Sequence, residues 1–309
     1  MRILDQSALK LDLKEIGMPP EILRRFELLI ARPHGIILVT GPTGSGKTTT
    51  LYSALASLNE PGVKIITAED PVEFRLPRIQ QVQVNPKVGL TFAGVLRSAL
   101  RQDPDVVLVG EIRDKETSEI ALKAAMTGHL VLSSLHTNDA ISSALRLVDM
   151  GAPAYMVAAS VNSVMAQRLV RRNCKACSVN YTVTEEELVW LKAIAVGKDV
   201  DWSQASFKMG EGCKQCSNTG CLGRIGVYEL LEMTRPLADC LRKNDVSGFA
   251  RAALEQPEYE TLAMSALRYA LDGLISPREV FRLASSLEDH FDEDDHENND
   301  ESDNAKNAS

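Results

Sequence analysis

The 309-residue sequence has no stretch approaching the roughly 18–20 consecutive apolar residues that cross a bilayer. Its opening, Met1-Arg-Ile-Leu-Asp-Gln, lacks the apolar core of a signal peptide. These two absences argue against a transmembrane or secreted chain, so any membrane role comes through a partner. Aromatic residues are scarce, at 5%, too few to suggest a stacking platform for single-stranded nucleic acid. No basic stripe interrupts the sequence either, and the formal net charge is −8. That charge is local. Residues 288–309 carry ten acidic side chains and one lysine, which leaves 32 acids against 33 bases elsewhere. The body is near neutral. The acidic end has no apolar periodicity and repels itself, so it is expected to be a disordered, solubilising tail.

What is present is ordinary globular material, with 44% hydrophobic and 25% charged residues. The length suits two domains, with room for a small insert. A helix is expected from Met18 to Ile30, with proline in its first turn. Short apolar runs at Gly35–Thr40, Val63–Ala68, Asp105–Gly110 and Leu130–His136 read as buried strands. Helical patterns lie between them, at Phe92–Gln102 and Glu116–Thr127, the latter with Asp114 as N-cap and Gly128 as C-cap. Further helical pattern fills 140–168. This alternation predicts an α/β fold with a mostly parallel sheet covered on both faces. The character changes near Arg171, where polar residues, paired cysteines and weak strand signals take over until about Glu229. The expected divisions are a linker over 1–13, a nucleotide-binding core over 14–168, a cysteine module over 169–230, a helical subdomain over 231–287 and the tail over 288–309.

The strongest local signal is Gly41-Pro42-Thr43-Gly44-Ser45-Gly46-Lys47-Thr48, which fits G-x-x-x-x-G-K-[ST] between an expected strand and an expected helix. Glycines let backbone N–H groups curl around phosphate oxygens, and the helix N-terminus adds its positive end. Lys47 is assigned to the β- and γ-phosphates and the Thr48 hydroxyl to Mg²⁺, with Thr49 completing the nucleotide-binding set. ATP is the expected nucleotide.

Two acidic positions follow expected strands. Val106-Val-Leu-Val-Gly-Glu111 has the form of a Walker B strand, with Gly110 where an Asp is usual, so Glu111 is assigned to the Mg²⁺ side. Glu69-Asp-Pro-Val-Glu73 ends another strand. Parallel strands end on one edge, so Glu73 is a candidate to polarise the attacking water; a solvated loop carboxylate is the plainer reading. Arg97 and Arg101 share a helical face, and Arg113 follows Glu111. They read either as charge stabilisers for a transferring phosphoryl group or as ordinary surface bases. His129 and His136 bracket the fourth strand and read as γ-phosphate sensors or as structural histidines.

Cys174-x-x-Cys177 and Cys213-x-x-Cys216 form two knuckle-like pairs, 35 residues apart. Four thiolates in such pairs suit a structural Zn²⁺ site. Cys221 and Cys240 are left over.

With these residues in hand, the sequence resembles the C-terminal part of the secretion ATPase superfamily, and within it the type II secretion and type IV pilus assembly ATPases. The resemblance rests on the 41–48 loop, Ile66–Phe74, Leu96–Asp114, Thr127–Ala140, Ala166-Gln-Arg-Leu-Val-Arg-Arg172, the four cysteines and Gly223–Leu230. It implies a RecA-like P-loop core, a tetracysteine zinc module and a C-terminal helical region. It further implies a homo-hexamer of the full-length protein with ATP between subunits, and a cytoplasmic location peripheral to the inner membrane. An inner-membrane platform protein would be the partner, with membrane contact only through partners and no nucleic acid bound. It raises Glu73 and Glu111 as catalytic groups and Arg97, Arg101 and Arg113 as charge stabilisers. Family members carry N-terminal domains before the motor, so residues 1–13 read as the remnant of a connecting segment. Weak hydrolysis by a mostly monomeric chain is then expected. Two other readings stay open: a nucleic-acid-handling RecA-type motor, and a zinc-ribbon adaptor with a vestigial nucleotide site.

Overall fold

The structure is a computed structural model and describes residues 11–287. The reading of 288–309 as tail and of 1–10 within the expected 1–13 linker lies outside that range; the rest of that linker is not free, because Leu13 is buried in the core with Leu11 packed against it. Helix α1 (Pro20–Ile30) starts on a proline, whose fixed φ suits the first turn, and buries Phe26, Leu29 and Ile30. Then follow β1 (Gly35–Thr40), α2 (Lys47–Leu58), β2 (Ile65–Glu69), β3 (Gln80–Gln83) and α3 (Phe92–Leu100). The alternation continues through β4 (Val106–Val109), α4 (Lys115–Met126), β5 (Leu130–Leu135), α5 (Ala140–Asp149) and α6 (Ala154–Ser160).

One seven-stranded sheet has the order β3-β2-β4-β5-β1-β6-β9, where β6 is Val161–Asn173 and β9 is Cys221–Glu232. Every pairing among the first six strands of that order is parallel. The apolar runs are strands because helices cover both faces. β1, β2, β4 and β5 are buried along their whole length.

The register decides where function can sit. Thr40 pairs with Leu135 and Val109 with Ser133, while Ala68 lies beside Val109. These strand ends therefore share one edge, and Gly41, Asp70, Gly110 and His136 all leave from it. Gly35 pairs with Leu130 at the opposite edge.

Two compact units divide the chain. Within the described residues, the first comprises 11–168 and 228–260, and the second 169–227 and 261–287. The core of the first gathers Phe26 and Leu29 of α1, Leu51, Tyr52 and Leu55 of α2, Ile37, Val39, Leu108 and Leu132 of the sheet, and Tyr228 and Leu230 of β9. The second holds β7 (Ser178–Asn180) antiparallel to β8 (Lys208–Gly210), α7 (Glu185–Ile194), α10 (Leu262–Leu271) and helical residues 277–287.

Two expectations change. The helical pattern over 140–168 is helical only as far as Ser160. Residues 161–168 are strand, because Val161, Val164, Met165 and Ala166 fill a slot beside β1 that is buried on both faces, where apolar spacing does not separate strand from helix. The helical segment 231–287 is not one body: α8 (Arg235–Arg242) and α9 (Val246–Leu254) fall in the first unit, and α10 and 277–287 in the second.

Candidate functional site

The phosphate loop leaves β1 at Gly41 and enters α2 at Lys47. Gly41 is required by its surroundings: its φ is +145°, and a Cβ there would lie 2.4 Å from the Gln167 carbonyl oxygen and 2.7 Å from Ser45 Oγ. Lys47 Nζ donates to the carbonyls of Gly41 (2.6 Å) and Pro42 (3.1 Å). Burial pushes the Lys47 ammonium below its ordinary pKa, opposed by the nearby Glu111 carboxylate and assisted by Arg168. Ser45 Oγ is buried without a hydrogen bond, Thr48 and Thr43 are exposed, and Thr49 is half-buried.

Glu111 stands one residue beyond Gly110 on the same edge and is buried, at 9% exposure. Its Oε1 accepts from Arg113 Nη2 at 2.5 Å. Its Oε2 lies 3.3 Å from His136 Nε2 yet makes no hydrogen bond. The His136 pKa is lowered by burial and by Lys47 and Arg113, against the pull of Glu111. Lys47, Glu111, Arg113 and His136 therefore form one electrostatic group. Gly110 has a steric reason. Its N–H donates to Ala68 O at 2.8 Å, and a Cβ there would lie 3.2 Å from that oxygen and 3.4 Å from Glu69 Cα.

Other expected residues sit elsewhere. His129 precedes Leu130 at the opposite edge, where its Nδ1 contacts the Ala124 carbonyl at 3.0 Å and closes α4; it does not join His136. Arg97 is paired with Glu116 across α3 and α4, while Arg101 donates to Arg97 O and Ser98 Oγ. Neither arginine contacts the loop within this chain. Glu73 is exposed on the loop after β2. The Asp114 carboxylate accepts from Thr117 N at 2.8 Å, as an N-cap of α4 should.

Two residues that sequence reasoning passed over brace the loop. Gln167 of β6, 2% exposed, donates from Nε2 to Ser45 O (2.8 Å) and accepts from Thr50 Oγ1 (2.8 Å). Arg168, 8% exposed, donates to Asn138 O (2.8 Å), Asn138 Oδ1 (3.1 Å) and Gln167 O (3.1 Å). Both follow from β6 lying beside β1. A buried Gln-Arg pair in an apolar run was the available signal.

In the second unit, the Sγ atoms of Cys174, Cys177, Cys213 and Cys216 all lie within 4.8 Å of one another. The close contacts are 3.9 Å for Cys174–Cys213, 3.8 Å for Cys177–Cys216 and 3.7 Å for Cys213–Cys216. A tetrahedral Zn²⁺ with Zn–S of ~2.3 Å requires sulfur spacings of about 3.8 Å. Burial opposes ionisation of Cys216, but the N–H groups of Cys213 (3.2 Å) and Gly220 (3.3 Å) and its thiol neighbours bring its pKa to about 6. The knuckles close because Gly210 and Gly220 touch backbone to backbone; a Cβ on Gly210 would lie 2.0 Å from Gly220 O. The donor set and spacing fit a tetrahedral metal ion.

A phosphate loop at the C-terminal edge of a parallel sheet, with a buried carboxylate beside its lysine, defines a P-loop nucleotide-binding protein. The chain belongs to the type II/IV secretion system protein family, whose model matches residues 1–282. It is 47% identical over 297 residues to the type IV pilus assembly ATPase PilB of Myxococcus xanthus, covering 94% of this chain and 50% of that protein. It is 44% identical over 283 residues to the type II secretion system protein HxcR of Pseudomonas aeruginosa, covering 92% and 55%. The chain thus spans about half the length of these curated relatives. Among solved structures, the pilus retraction motor PilT with bound ADP matches with a TM-score of 0.64 at 30% identity, covering 88% of this chain and 66% of that one. No helix among the described residues is long and apolar enough to cross a membrane.

Proposed function

We propose that this chain is the ATP-hydrolysing motor portion of a type IV pilus assembly or type II secretion ATPase. The carrying observation is the convergence of Lys47, Glu111 and His136 on the edge where the phosphate loop begins. In this reading, loop N–H groups and Lys47 hold the β- and γ-phosphates of ATP. The buried, incompletely bonded Glu111 carboxylate and the Thr48 hydroxyl are fitted to hold Mg²⁺, which when bound neutralises phosphate charge. Arg113 orients Glu111 through its hydrogen bond to Oε1. Glu73 polarises the attacking water. His136, held toward its neutral form, senses the γ-phosphate by hydrogen bonding.

The same reading assigns Zn²⁺ to the four cysteines as a structural ion. It also assigns a homo-hexameric state to the full-length protein, in which Arg97 and Arg101 face a neighbouring subunit's nucleotide. An inner-membrane platform protein is the partner. The motor works at the cytoplasmic side of the membrane and binds no nucleic acid. The near-neutral body and the PilB and HxcR likenesses support this over a DNA motor.

ATP hydrolysis by the purified protein, alone and with DNA, tests the proposal. Lys47→Ala and Glu111→Ala should each abolish turnover, and DNA should leave the rate unchanged. DNA stimulation would redirect the assignment to a nucleic-acid motor, and tight binding without turnover in the full-length protein would make it an adaptor. Cys213→Ser should lose one equivalent of zinc, and full retention would end the metal assignment.

A further inference from the structure

Glu111 lies two residues beyond the end of β4 at Val109, past the regular ladder. Ser134 of β5 holds it there. The Ser134 hydroxyl donates to Gly110 O at 2.7 Å, and the Ser134 carbonyl accepts from Ile112 N at 3.1 Å. Both chain neighbours of Glu111 are thus bonded to one buried residue. β5 sets the Glu111 backbone, and the same strand runs on through Leu135 to His136.

His136 has less to hold it. Its side chain is half exposed and lies 3.3 Å from Glu111 Oε2, which makes no hydrogen bond. Its place therefore depends on the backbone around it. Pairing of β1 with β5 ends at Thr40 and Leu135. Thr40 extends that pairing with its side chain: Oγ1 accepts from Thr137 N at 3.2 Å and donates to Thr137 O at 3.0 Å. It also meets Thr137 Oγ1, which in turn meets Ser143 Oγ in the first turn of α5. One residue on, Arg168 donates to Asn138 O and Oδ1, and a Cβ on Gly41 would lie 3.0 Å from Arg168 Nη1. Both clasps on the segment after His136 therefore come from residues that adjoin the first glycine of the phosphate loop.

Thr40 is fully buried in an otherwise apolar strand. Valine would fill the same space with no hydroxyl to desolvate. What the hydroxyl adds is a pair of bonds to a backbone that the sheet no longer reaches. We propose that Thr40 is a positioning residue for ATP hydrolysis: its hydroxyl seats Thr137 and so fixes His136 relative to Glu111 and the phosphate loop. The proposal rests on the reading of His136 as the γ-phosphate sensor. Thr40 immediately precedes Gly41, so loop and sensor share one anchor.

Two substitutions at this position test it in the full-length protein. Thr40→Val keeps the volume and removes both bonds to Thr137. It should lower kcat about 10- to 100-fold, the order expected when a group is misplaced by about an ångström. The KM for ATP and the Kd for a fluorescent ADP analogue should stay within about threefold. Thr40→Ser keeps the hydroxyl and should hold kcat within about threefold of the parent. In a His136→Ala background, Thr40→Val should cost less than about threefold more, because the two residues act as one unit. A serine variant as slow as the valine variant would overturn the proposal. So would independent, multiplying losses, or a valine variant whose loss falls on KM and Kd with kcat intact.

Amide hydrogen exchange supplies a readout that needs no turnover. Thr40→Val should speed exchange at the Thr137 amide about tenfold. Ile112, bonded to Ser134 O instead, should keep its protection. Unchanged exchange at Thr137 would remove the clasp, and equal loss at both amides would mean a general loosening of the edge; either result overturns the proposal. If His136→Ala alone leaves kcat intact, the sensor reading fails and the catalytic half of the proposal fails with it. The Thr137 amide then still decides whether the clasp exists.

Discussion

Replacing Gln167 by leucine isolates what braces the phosphate loop. The side chains are close in volume, so the change opens no cavity. It removes the donor to Ser45 O and the acceptor for Thr50 Oγ1, both at 2.8 Å and both buried. The Thr50 hydroxyl recovers most of its loss by turning to the carbonyl one helical turn back, at Gly46. The Ser45 carbonyl has no such recourse, and leaving a buried acceptor unpaired costs about 1–3 kcal/mol. A net loss of about 2 kcal/mol is about 30-fold in the local opening equilibrium. Hydrogen exchange followed by mass spectrometry should show that loss over residues 41–50 and not over β5. Gln167→Glu is the sharper control. It keeps the acceptor for Thr50 but turns a buried carboxylate oxygen toward the Ser45 carbonyl, so this chemically closer substitution should be the more damaging. Protection over 41–50 unchanged in Gln167→Leu, or a Glu variant milder than the Leu variant, would refute the brace.

Three further outcomes follow from the geometry. Gly110→Asp, which restores the residue usual before a Walker B glutamate, should cost about 1–3 kcal/mol through overpacking against Ala68 O and Glu69 Cα, read as a lowered unfolding midpoint of the first unit; an unchanged midpoint would show that β2 yields freely. Strong chelation should remove hydrogen-exchange protection around Cys174 and Cys213 while sparing β1 and β5, and equal loss in both would contradict a metal role confined to the second unit. Burial pushes the Tyr269 phenol up to about 12, against ~10 in an unfolded chain. Its contribution is complete below pH 10 and is lost as pH rises towards 12, because the unfolded chain then binds fewer protons. Tyr269→Phe should flatten the urea midpoint across that window, and an unaltered decline would assign it to other groups.

Much of the nucleotide edge was legible. β1 and β5 match their apolar runs closely because both are sealed on two faces, and the glycine spacing of 41–48 has little meaning outside a phosphate loop. Glu111 could be found because it closes such a run. His129 lies close in sequence to the site residues but not close in space. Strand direction carries His129 to the far edge. Gln167 and Arg168 were hidden because β6 arrives from 120 residues away, and nothing local marks its neighbour as β1. The arginines of α3 carry helical spacing and charge, but the partner they meet is a matter of tertiary placement, and Glu116 answers it for Arg97.

The first unit is assembled from two separated pieces of chain, and this bears on how the protein is made. Tyr228 and Leu230 belong to the core that also holds Phe26 and Leu51, and the α5 N-terminus at Ala140 waits for Glu229 Oε1. Between the pieces lie residues 169–227 of the other unit. At about 5–20 residues per second of synthesis, a nascent chain spends roughly 3–12 seconds with its sheet built up to β6 and no β9 to complete it. During that interval an apolar margin stands open on the ribosome. A chaperone that shields unpaired strands would find its longest-lived client there, in a protein whose finished form hides that margin.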